Sequence, residues 1–287
     1  MSWRGFKNRA AFLRYGVDSP YEFVLSIIDR VYEKLSGKFL GFFAKKRNAQ
    51  FVEGDHYRFK DVRLPLLSGK SEDFFFRYIF LDTFYSYVYL NDRYDENTFD
   101  YCEKFLMEGL YGFVNSNVNV TVEAGDIVFD VGSWIGDFAA YAASGRKAKV
   151  YAFEPSGNLF AKLQQTAFMN PGIIPVNKGL SSKEQGSKNI RVNNVAGNEE
   201  FDITTIDDFV RENNLPRVDF IKADIEGFER HMLAGAQDTL ARFAPKLALC
   251  TYHLPDDPQV MAELILKANP KYNIVQKRMK LFASVPE

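Results

Sequence analysis

The chain has 287 residues, of which 46% are apolar and 25% are charged, and its 36 basic side chains nearly balance 37 acidic ones. A chain of this length and composition can bury a core without disulfides or a structural metal. The near-neutral charge lacks the basic footprint of a protein that binds nucleic acid, so we expect no nucleic-acid partner.

The cysteines and the N-terminal residues bear on the cellular compartment of the protein. Cys102 and Cys250 are far apart in sequence and match no metal motif. Residues 1–15 carry four basic side chains and no apolar run, so no secretory signal is predicted. No uncharged apolar stretch reaches the length of a transmembrane helix. We therefore expect a cytoplasmic protein with reduced thiols.

Residues 1–105 are predicted to form a mainly helical, aromatic-rich extension. Residues 19–37 carry an apolar stripe at helical spacing. Residues 57–66 are predicted to be a strand or one arm of a hairpin. A second helix is predicted over 71–90, with Ser71 as its N-cap.

The sequence pattern changes in the second part of the chain, residues 106–287. Residues 118–122 alternate apolar and polar side chains, as in a half-buried strand. Strands are then predicted at 127–131, 149–153, 173–176, 218–223, 246–251, 272–275 and 280–284, and helices at 137–144, 156–168, 206–212, 228–243 and 258–268. This alternation is typical of a mostly parallel sheet with helices on both faces.

A glycine loop follows the first strand of this domain. Residues Asp130, Gly132, Ser133 and Gly136 give the spacing Gly-x-x-x-Gly, whereas a dinucleotide enzyme shows Gly-x-Gly-x-x-Gly. The glycines let the backbone turn sharply and come close to a ligand. A carboxylate two residues before Gly132 disfavours a nearby pyrophosphate. An amino-acid tail and a sulfonium group suit this environment better.

An acidic residue ends the second strand. Glu154 follows the apolar residues 150–153 and lies 22 residues after Gly132. An acid at this place can accept two hydrogen bonds from the ribose hydroxyls of a nucleoside. The alternative is a surface salt bridge with a lysine. The spacing favours ribose binding.

Polar side chains also follow the fourth and fifth strands. Lys222, Asp224 and Glu226 would share one side of an extended strand, where burying them is costly unless they have a task. A Lys–Asp pair can be purely structural, but a carboxylate here can also orient a hydroxyl or take its proton. Tyr252 and His253 end the fifth strand. His253 is a candidate general base because the unperturbed pKa of histidine lies near neutral.

Taken in order, these blocks resemble the FkbM family of methyltransferases. The matching blocks are Asp-Val-Gly-Ser-x-x-Gly-Asp, Ala-Phe-Glu-Pro, Asn-Lys-Gly-Leu-Ser, Ile-Lys-Ala-Asp-Ile-Glu-Gly-x-Glu and Tyr-His, within residues 108–284. The resemblance implies a class I methyltransferase fold, which is a Rossmann-like α/β fold. Its sheet has seven mostly parallel strands, and the last strand is antiparallel. It further implies S-adenosyl-L-methionine as methyl donor and O-methylation of a small molecule or sugar, such as a nucleotide sugar or glycan precursor.

The resemblance also assigns roles. Donor binding is expected at Asp130, Gly132, Ser133, Gly136, Glu154 and Asp224. Glu154 matches the ribose-binding acid of such enzymes. Residues 1–105 are then expected to cover the acceptor pocket or to form an oligomer contact, which leaves a homo-oligomer open.

The expected reaction is an in-line displacement in which the acceptor oxygen attacks the donor methyl group. Asp224 or His253 would take the hydroxyl proton. Glu226 would assist, or would join Asp224 on a divalent cation such as Mg²⁺. The sequence leaves both routes open.

Two other functions share part of this sequence pattern. An NAD(P)-dependent oxidoreductase shares the alternation and the acid after strand two, but the missing Gly-x-Gly-x-x-Gly counts against it. A non-catalytic nucleoside-binding module would keep the fold alone. The polar cluster of Lys222, Asp224 and Glu226 argues against that alternative.

Overall fold

The structure is a computed structural model that describes residues 49–84, 87–88, 92–97, 110–183, 201–277 and 279–286. The helix predicted over 19–37 lies outside these residues. No helix within these ranges has both the length and the apolar character needed to cross a membrane.

The described part of the extension begins with a small antiparallel sheet of strands β1 (Val52–Glu53), β2 (His56–Phe59) and β3 (Val62–Pro65). Strands β2 and β3 form the hairpin predicted at 57–66, so this part of the extension is sheet and not helix. Helix α1 (Lys70–Phe74) follows and continues as a π-helical segment (Phe75–Phe84).

The predicted cap of this helix is wrong by two residues. The N-cap is Gly69, with φ 57° and ψ −131°, and no side chain caps the helix. Ser71 already lies inside the first turn, so its hydroxyl is not in the N-cap position. A glycine adopts the positive φ of this N-cap position without steric cost.

Aromatic rings join the extension to the rest of the molecule. The rings of Phe59 and Phe84 stack with centroids 4.7 Å apart, and Tyr57 meets Phe76 edge-on at 5.2 Å. These side chains are buried in the same apolar cluster as Phe220 of the central sheet. Aromatic pairs of this kind each add about 0.5–1.5 kcal/mol beyond the burial of their area. The hairpin and the helix therefore share a core with the main domain.

The remaining elements largely follow the predicted alternation. They are β4 (Phe113–Val114), β5 (Asn119–Val120), β6 (Ile127–Val131), α2 (Asp137–Ala140) with a π-helical turn (Tyr141–Gly145), β7 (Lys149–Phe153), α3 (Gly157–Met169), β8 (Ile173–Val176), β9 (Gly179–Leu180), β10 (Ile203–Thr204), α4 (Ile206–Glu212), β11 (Phe220–Ala223), α5 (Glu229–Ala234), α6 (Gln237–Phe243), β12 (Lys246–Cys250), α7 (Asp257–Ala268), β13 (Asn273–Lys277) and β14 (Lys280–Ser284).

Seven strands form the central sheet in the order β13-β14-β12-β11-β6-β7-β8. Only β14 runs antiparallel to its neighbours β12 and β13. The strand order and the single antiparallel strand are those of the class I methyltransferase fold, so the expected fold class is confirmed. Residues 118–122 do not join this sheet, because β5 instead pairs with β4.

The helix predicted over 228–243 is two helices, α5 and α6, separated at Gly235. A Cβ at Gly235 would lie 2.2 Å from the carbonyl oxygen of Ser181, so only glycine permits this approach. The carbonyl of Gly235 accepts a hydrogen bond from the amide of Asp207 in α4. Tertiary packing thus interrupts a sequence pattern that is helical throughout.

Four parallel strands of the sheet end at one edge. All five residues of β6 are buried, as are all four of β11, which is typical of a parallel sheet covered on both faces. The carboxyl ends of β6, β7, β11 and β12 meet at the same edge. Ligands of open α/β sheets bind outside this edge.

One asparagine joins the hairpin to the main domain. Asn170, the C-cap of α3, is fully buried. Its Oδ1 accepts a hydrogen bond from the amide of Arg63 at 2.9 Å, and its Nδ2 donates to the carbonyl of Arg63 at 2.6 Å. The side chain therefore pairs with β3 as a neighbouring strand would.

We expect Asn170→Ala to lower the free energy of unfolding by about 1–3 kcal/mol, because it leaves the amide and carbonyl of Arg63 without their partner. Urea denaturation measures the loss. The matched control is Asn269→Ala, since Asn269 is also a helix C-cap in extended conformation but bonds only a local exposed amide. Equal losses in the two variants would contradict the assigned role of Asn170.

Candidate functional site

A cleft of about 620 Å³ lies at the carboxyl edge of the sheet. Four of the residues predicted to form a site line it: Gly132, Glu154, Asp224 and Glu226. Tyr252 lines it as well. The structure thus brings together residues from the ends of four strands.

The glycine loop allows the backbone of β6 to touch that of β11. Gly132 has φ 75°, and a Cβ there would lie 2.0 Å from the carbonyl oxygen of Asp224. The amide of Gly132 donates to the carbonyl of Phe153 at 3.1 Å. Gly136, at φ 85°, is the N-cap of α2, and its position is crowded by Leu163. Only glycine at 132 lets the strand ends converge so closely.

Glu154 is held with its carboxylate in the cleft wall. Oε2 accepts a hydrogen bond from the amide of Trp134 and Oε1 accepts one from the amide of Ser156, both at 3.0 Å. Burial raises the pKa of this carboxyl to about 7. A carboxylate offers about four lone-pair sites, so two bonds leave acceptor capacity for a ligand.

Asp130 and Ser133 support the loop instead of lining the cleft. The carboxylate of Asp130 is fully buried, and its Oδ1 lies 3.1 Å from Nζ of Lys222. Nζ also donates to the carbonyl of Gly132 at 2.8 Å. Ser133 Oγ donates to the carbonyl of Asp130 at 2.7 Å. Burial would lower the pKa of Lys222, but the neighbouring carboxylates outweigh it and raise that pKa.

Asp224 is an anion held among hydroxyls and ammonium groups. Its carboxylate accepts hydrogen bonds from Tyr111 Oη at 3.1 Å and Tyr252 Oη at 3.0 Å. Burial alone would raise the pKa of Asp224, but Lys222 and Lys280 outweigh it, so the pKa is lowered. Asp224 therefore stays ionised, which makes it a good hydrogen-bond acceptor and a weak base.

His253 lies among three carboxylates. Its Nδ1 is 3.3 Å from Oε1 of Glu229, and its Nε2 is 3.7 Å from Oε2 of Glu226 and 3.9 Å from Oδ1 of Asp224. Both nitrogens are buried, and neither has a partner at full hydrogen-bond geometry among the described residues, so these are ion-pair contacts. Burial would lower the pKa of His253, but the carboxylates, Glu229 foremost, outweigh it and raise that pKa.

The same groups include a candidate ligand set for one cation. Asp224, Glu229 and His253 each offer one ligand atom, and these atoms lie within 4.8 Å of one another. Glu229 lies beside Nδ1 and Asp224 beside Nε2, so an ion on either nitrogen would lie nearer to one of the two carboxylates. The other predicted cation ligand, Glu226, has a half-exposed side chain.

Several residues of the site were not predicted from the sequence. Tyr111 lies in a segment without a motif, and Lys280 belongs to the last strand. The ammonium of Lys280 lies 4.0 Å from the centre of the Tyr111 ring. Glu229 is the last residue of the Ile-Lys-Ala-Asp-Ile-Glu-Gly-x-Glu block, and the sequence alone assigns it no role. Phe74 of α1 also lines the cleft, with its ring centroid 5.7 Å from that of Trp134.

We expect Gly132→Ala to lower the free energy of unfolding by about 2 kcal/mol or more, because the added methyl group would overlap the Asp224 carbonyl. The control is Gly125→Ala, since Gly125 also has a positive φ, 87°, but nothing lies within 4 Å of its added Cβ. Only the conformational cost of about 1 kcal/mol is expected there. Thermal and urea denaturation measure the stability of both variants. A similar loss of stability in both would contradict the close approach of the Gly132 backbone to the Asp224 carbonyl.

The chain is similar to known methyltransferases. Residues 130–272 match the family model described as the methyltransferase FkbM domain. The hexuronic acid methyltransferase AglP of Haloferax volcanii is 29% identical over 157 residues, which are 51% of this chain and 64% of AglP. The chain thus spans slightly less than two thirds of this relative.

Solved structures include the FkbM methyltransferase of Methylobacillus flagellatus KT, with 24% identity, a TM-score of 0.46, and coverage of 55% of this chain and 43% of that one. Aeropyrum pernix fibrillarin with bound S-adenosyl-L-methionine has 12% identity, a TM-score of 0.40, and coverage of 58% and 69%. The fold, the ordered motifs and the match over residues 130–272 lead to one conclusion. Residues 130–272 of the chain form a methyltransferase FkbM domain.

Proposed function

We propose that the chain is an S-adenosyl-L-methionine-dependent methyltransferase that methylates a hydroxyl of a small molecule or sugar. The observation that carries the proposal is the pairing of the Gly132 bend with Glu154 in one cleft. The bend lets the ends of β6 and β11 meet beside Glu154, and the carboxylate retains acceptor sites for two ribose hydroxyls.

Donor binding is assigned to the two loops that end β6 and β7. Glu154 would hold the ribose, and the backbone at Gly132 would lie against the amino-acid part of the donor. Asp224 lines the cleft opposite this loop and would offer its carboxylate to the donor or to the acceptor. Asp130, Ser133 and Gly136 would act indirectly, since they fix the loop from behind.

A sugar acceptor is supported by the chemistry of the open side of the cleft. Aromatic side chains of Phe74, Trp134, Phe228 and Tyr252 line it. Aromatic faces pack on the apolar faces of sugar rings, while carboxylates accept hydrogen bonds from sugar hydroxyls. The relative AglP is named as acting on a hexuronic acid. A uronic acid or a glycan precursor carrying one is therefore the first acceptor to test.

The extension would form part of the acceptor wall. Phe74 and Ile79 belong to the extension and both line the cleft. Residues 1–105 would then serve as the acceptor cover, and residues 106–287 would hold the donor. A role of the extension in an oligomer contact is compatible with this arrangement.

His253 is our candidate base. Bound donor would supply a methyl group on a positively charged sulfur, which leaves as a neutral thioether. The acceptor oxygen forms the new C–O bond, and its proton must go to a base on the protein. Asp224 is a weak base because two lysines stabilise its ionised form. The raised pKa of His253 makes it a stronger base, as proton transfer near neutral pH requires.

His253 itself does not line the cleft, and access to its buried Nε2 depends on Glu226. This residue has φ 57° and a half-exposed side chain that lies 3.7 Å from Nε2. An acceptor hydroxyl would reach Nε2 when the Glu226 side chain turns outward. Glu226 would then receive a hydrogen bond from the acceptor, which agrees with the assisting role expected from the sequence.

We expect the affinity for S-adenosylhomocysteine, the demethylated product, to rise up to about tenfold between pH 6 and pH 8. Glu154 must be ionised to accept both ribose hydroxyls, and its pKa is about 7. Calorimetry at both pH values measures this, with NAD⁺ as a comparison ligand.

Glu154→Gln should weaken binding and abolish its pH dependence, whereas Glu263→Gln, an exposed carboxylate on α7, should change neither. Tight binding of NAD⁺, or unchanged affinity in Glu154→Gln, would refute the donor assignment.

We expect His253→Ala to lower kcat by about 10²–10⁴-fold with unchanged donor affinity, because only proton removal is lost. His56→Ala, on β2 in the extension, is the control and should retain kcat. A parallel assay with EDTA separates the metal-assisted route, which requires turnover to be lost on chelation. Full turnover of His253→Ala would remove His253 from the mechanism.

A further inference from the structure

Glu229 is a fully buried carboxylate at the start of α5, directly behind the cleft. Its two oxygens are used by the loop that precedes it. Oε1 accepts a hydrogen bond from the amide of Ile225 at 2.7 Å, and Oε2 accepts one from the amide of Gly227 at 3.0 Å. A carboxylate is buried only when it is paired or hydrogen-bonded, so these contacts explain its burial.

The loop held by Glu229 has an unfavourable conformation. Glu226 and Gly227 are consecutive residues with φ 57° and 96°. A non-glycine residue in the left-handed region is strained unless its surroundings hold it there. The two amides captured by Glu229 lie on either side of Glu226, so this carboxylate fixes the backbone that carries Asp224 and Glu226 into the cleft.

The same carboxylate is the nearest acceptor to His253 Nδ1. Oε1 of Glu229 lies 3.3 Å from this nitrogen, whereas Asp224 and Glu226 lie nearer Nε2. An ionised carboxylate can only accept, and the contact at Nδ1 is shorter than the contacts of 3.7 and 3.9 Å at Nε2, so Glu229 favours the tautomer with the proton on Nδ1. In the neutral ring Nε2 then keeps its lone pair on the side of Asp224 and Glu226.

We propose that Glu229 is a positioning residue that fixes both the loop 224–227 and the His253 ring, so that Nε2 faces the acceptor hydroxyl. This inference rests on the proposed function for its catalytic meaning, but its structural content does not. The carboxylate of Glu229 would hold the proton of the neutral ring on the Nδ1 side, and the acceptor proton would go to Nε2. The resulting imidazolium would be stabilised by the carboxylates around it.

The charged groups facing His253 set the direction of the pH effect. They are Glu229 on α5 and Asp224 and Glu226 on the preceding loop, while Lys222 and Lys280 act on Asp224 from the opposite side. Removing the charge of Glu229 removes one of the interactions that favour imidazolium. The histidine then loses its proton at lower pH, and the acid limb of the rate profile moves to lower pH with it.

The first test is made on the unaltered protein and needs no substrate. The chain has three histidines, so ¹⁵N NMR of the imidazole rings can be assigned with His56→Gln and His231→Gln. At high pH we expect neutral His253 to carry its proton on Nδ1. A proton on Nε2 would overturn the proposal, whatever the activity of the enzyme.

The second test compares Glu229→Gln with Asp238→Asn. Asp238 is an exposed carboxylate in the first turn of α6, so both variants lose a charge near a helix start. In Glu229→Gln we expect mixed tautomers of His253 and an acid limb of kcat against pH shifted down by about one unit. Asp238→Asn should leave both unchanged.

A folded Glu229→Gln protein with the tautomer and pH profile of the parent would overturn the proposal. If Glu229→Gln does not fold, the tautomer in the unaltered protein still decides. Should that tautomer be as expected while His253→Ala keeps full turnover, the base assignment fails and the role of Glu229 in the structure stands.

Discussion

The site depends on the buried ion pair between Lys222 of β11 and Asp130 of β6. The two strands are neighbours, and the ammonium that neutralises Asp130 also holds the carbonyl of Gly132. Removing one partner of a buried pair typically costs about 3–5 kcal/mol, because the other charge stays buried. The same ammonium lowers the pKa of Asp224. One lysine thus anchors the glycine loop after β6 and helps to keep the carboxylate of Asp224 ionised.

The sequence predicted the α/β domain closely because periodicity and motif order are local signals. Each of the seven strands of the central sheet was expected within a few residues, and Gly132, Glu154 and Asp224 were expected at one edge. The miss at Gly235 has a tertiary cause, since the contact with Ser181 lies far along the chain. Ser71 failed as a cap because Gly69 supplies the turn by its backbone alone.

The depth of each side chain could not be read from the sequence. Asp130 and Asp224 both follow apolar stretches, yet the first lies behind the loop and the second lines the cleft. Lys222, Asp224 and Glu226 were expected on one side of an extended strand, but β11 ends at Ala223 and Glu226 has a positive φ. Glu229 carries no distinguishing local pattern, and its partners are backbone amides that any sequence possesses.

Asp224 is surrounded by groups from distant parts of the chain, and this has a consequence for assembly. Tyr111 precedes the first strand of the central sheet, whereas Lys280 is the first residue of β14. Strand β14 is the last strand in sequence, but it lies between β12 and β13 in the sheet. A chain in which that strand has not yet docked would already have Gly132 and Glu154 at the edge of the sheet. It would still lack the cation that helps to hold Asp224 ionised. The charge state of Asp224 should therefore be set late in folding, after the other side of the cleft has formed.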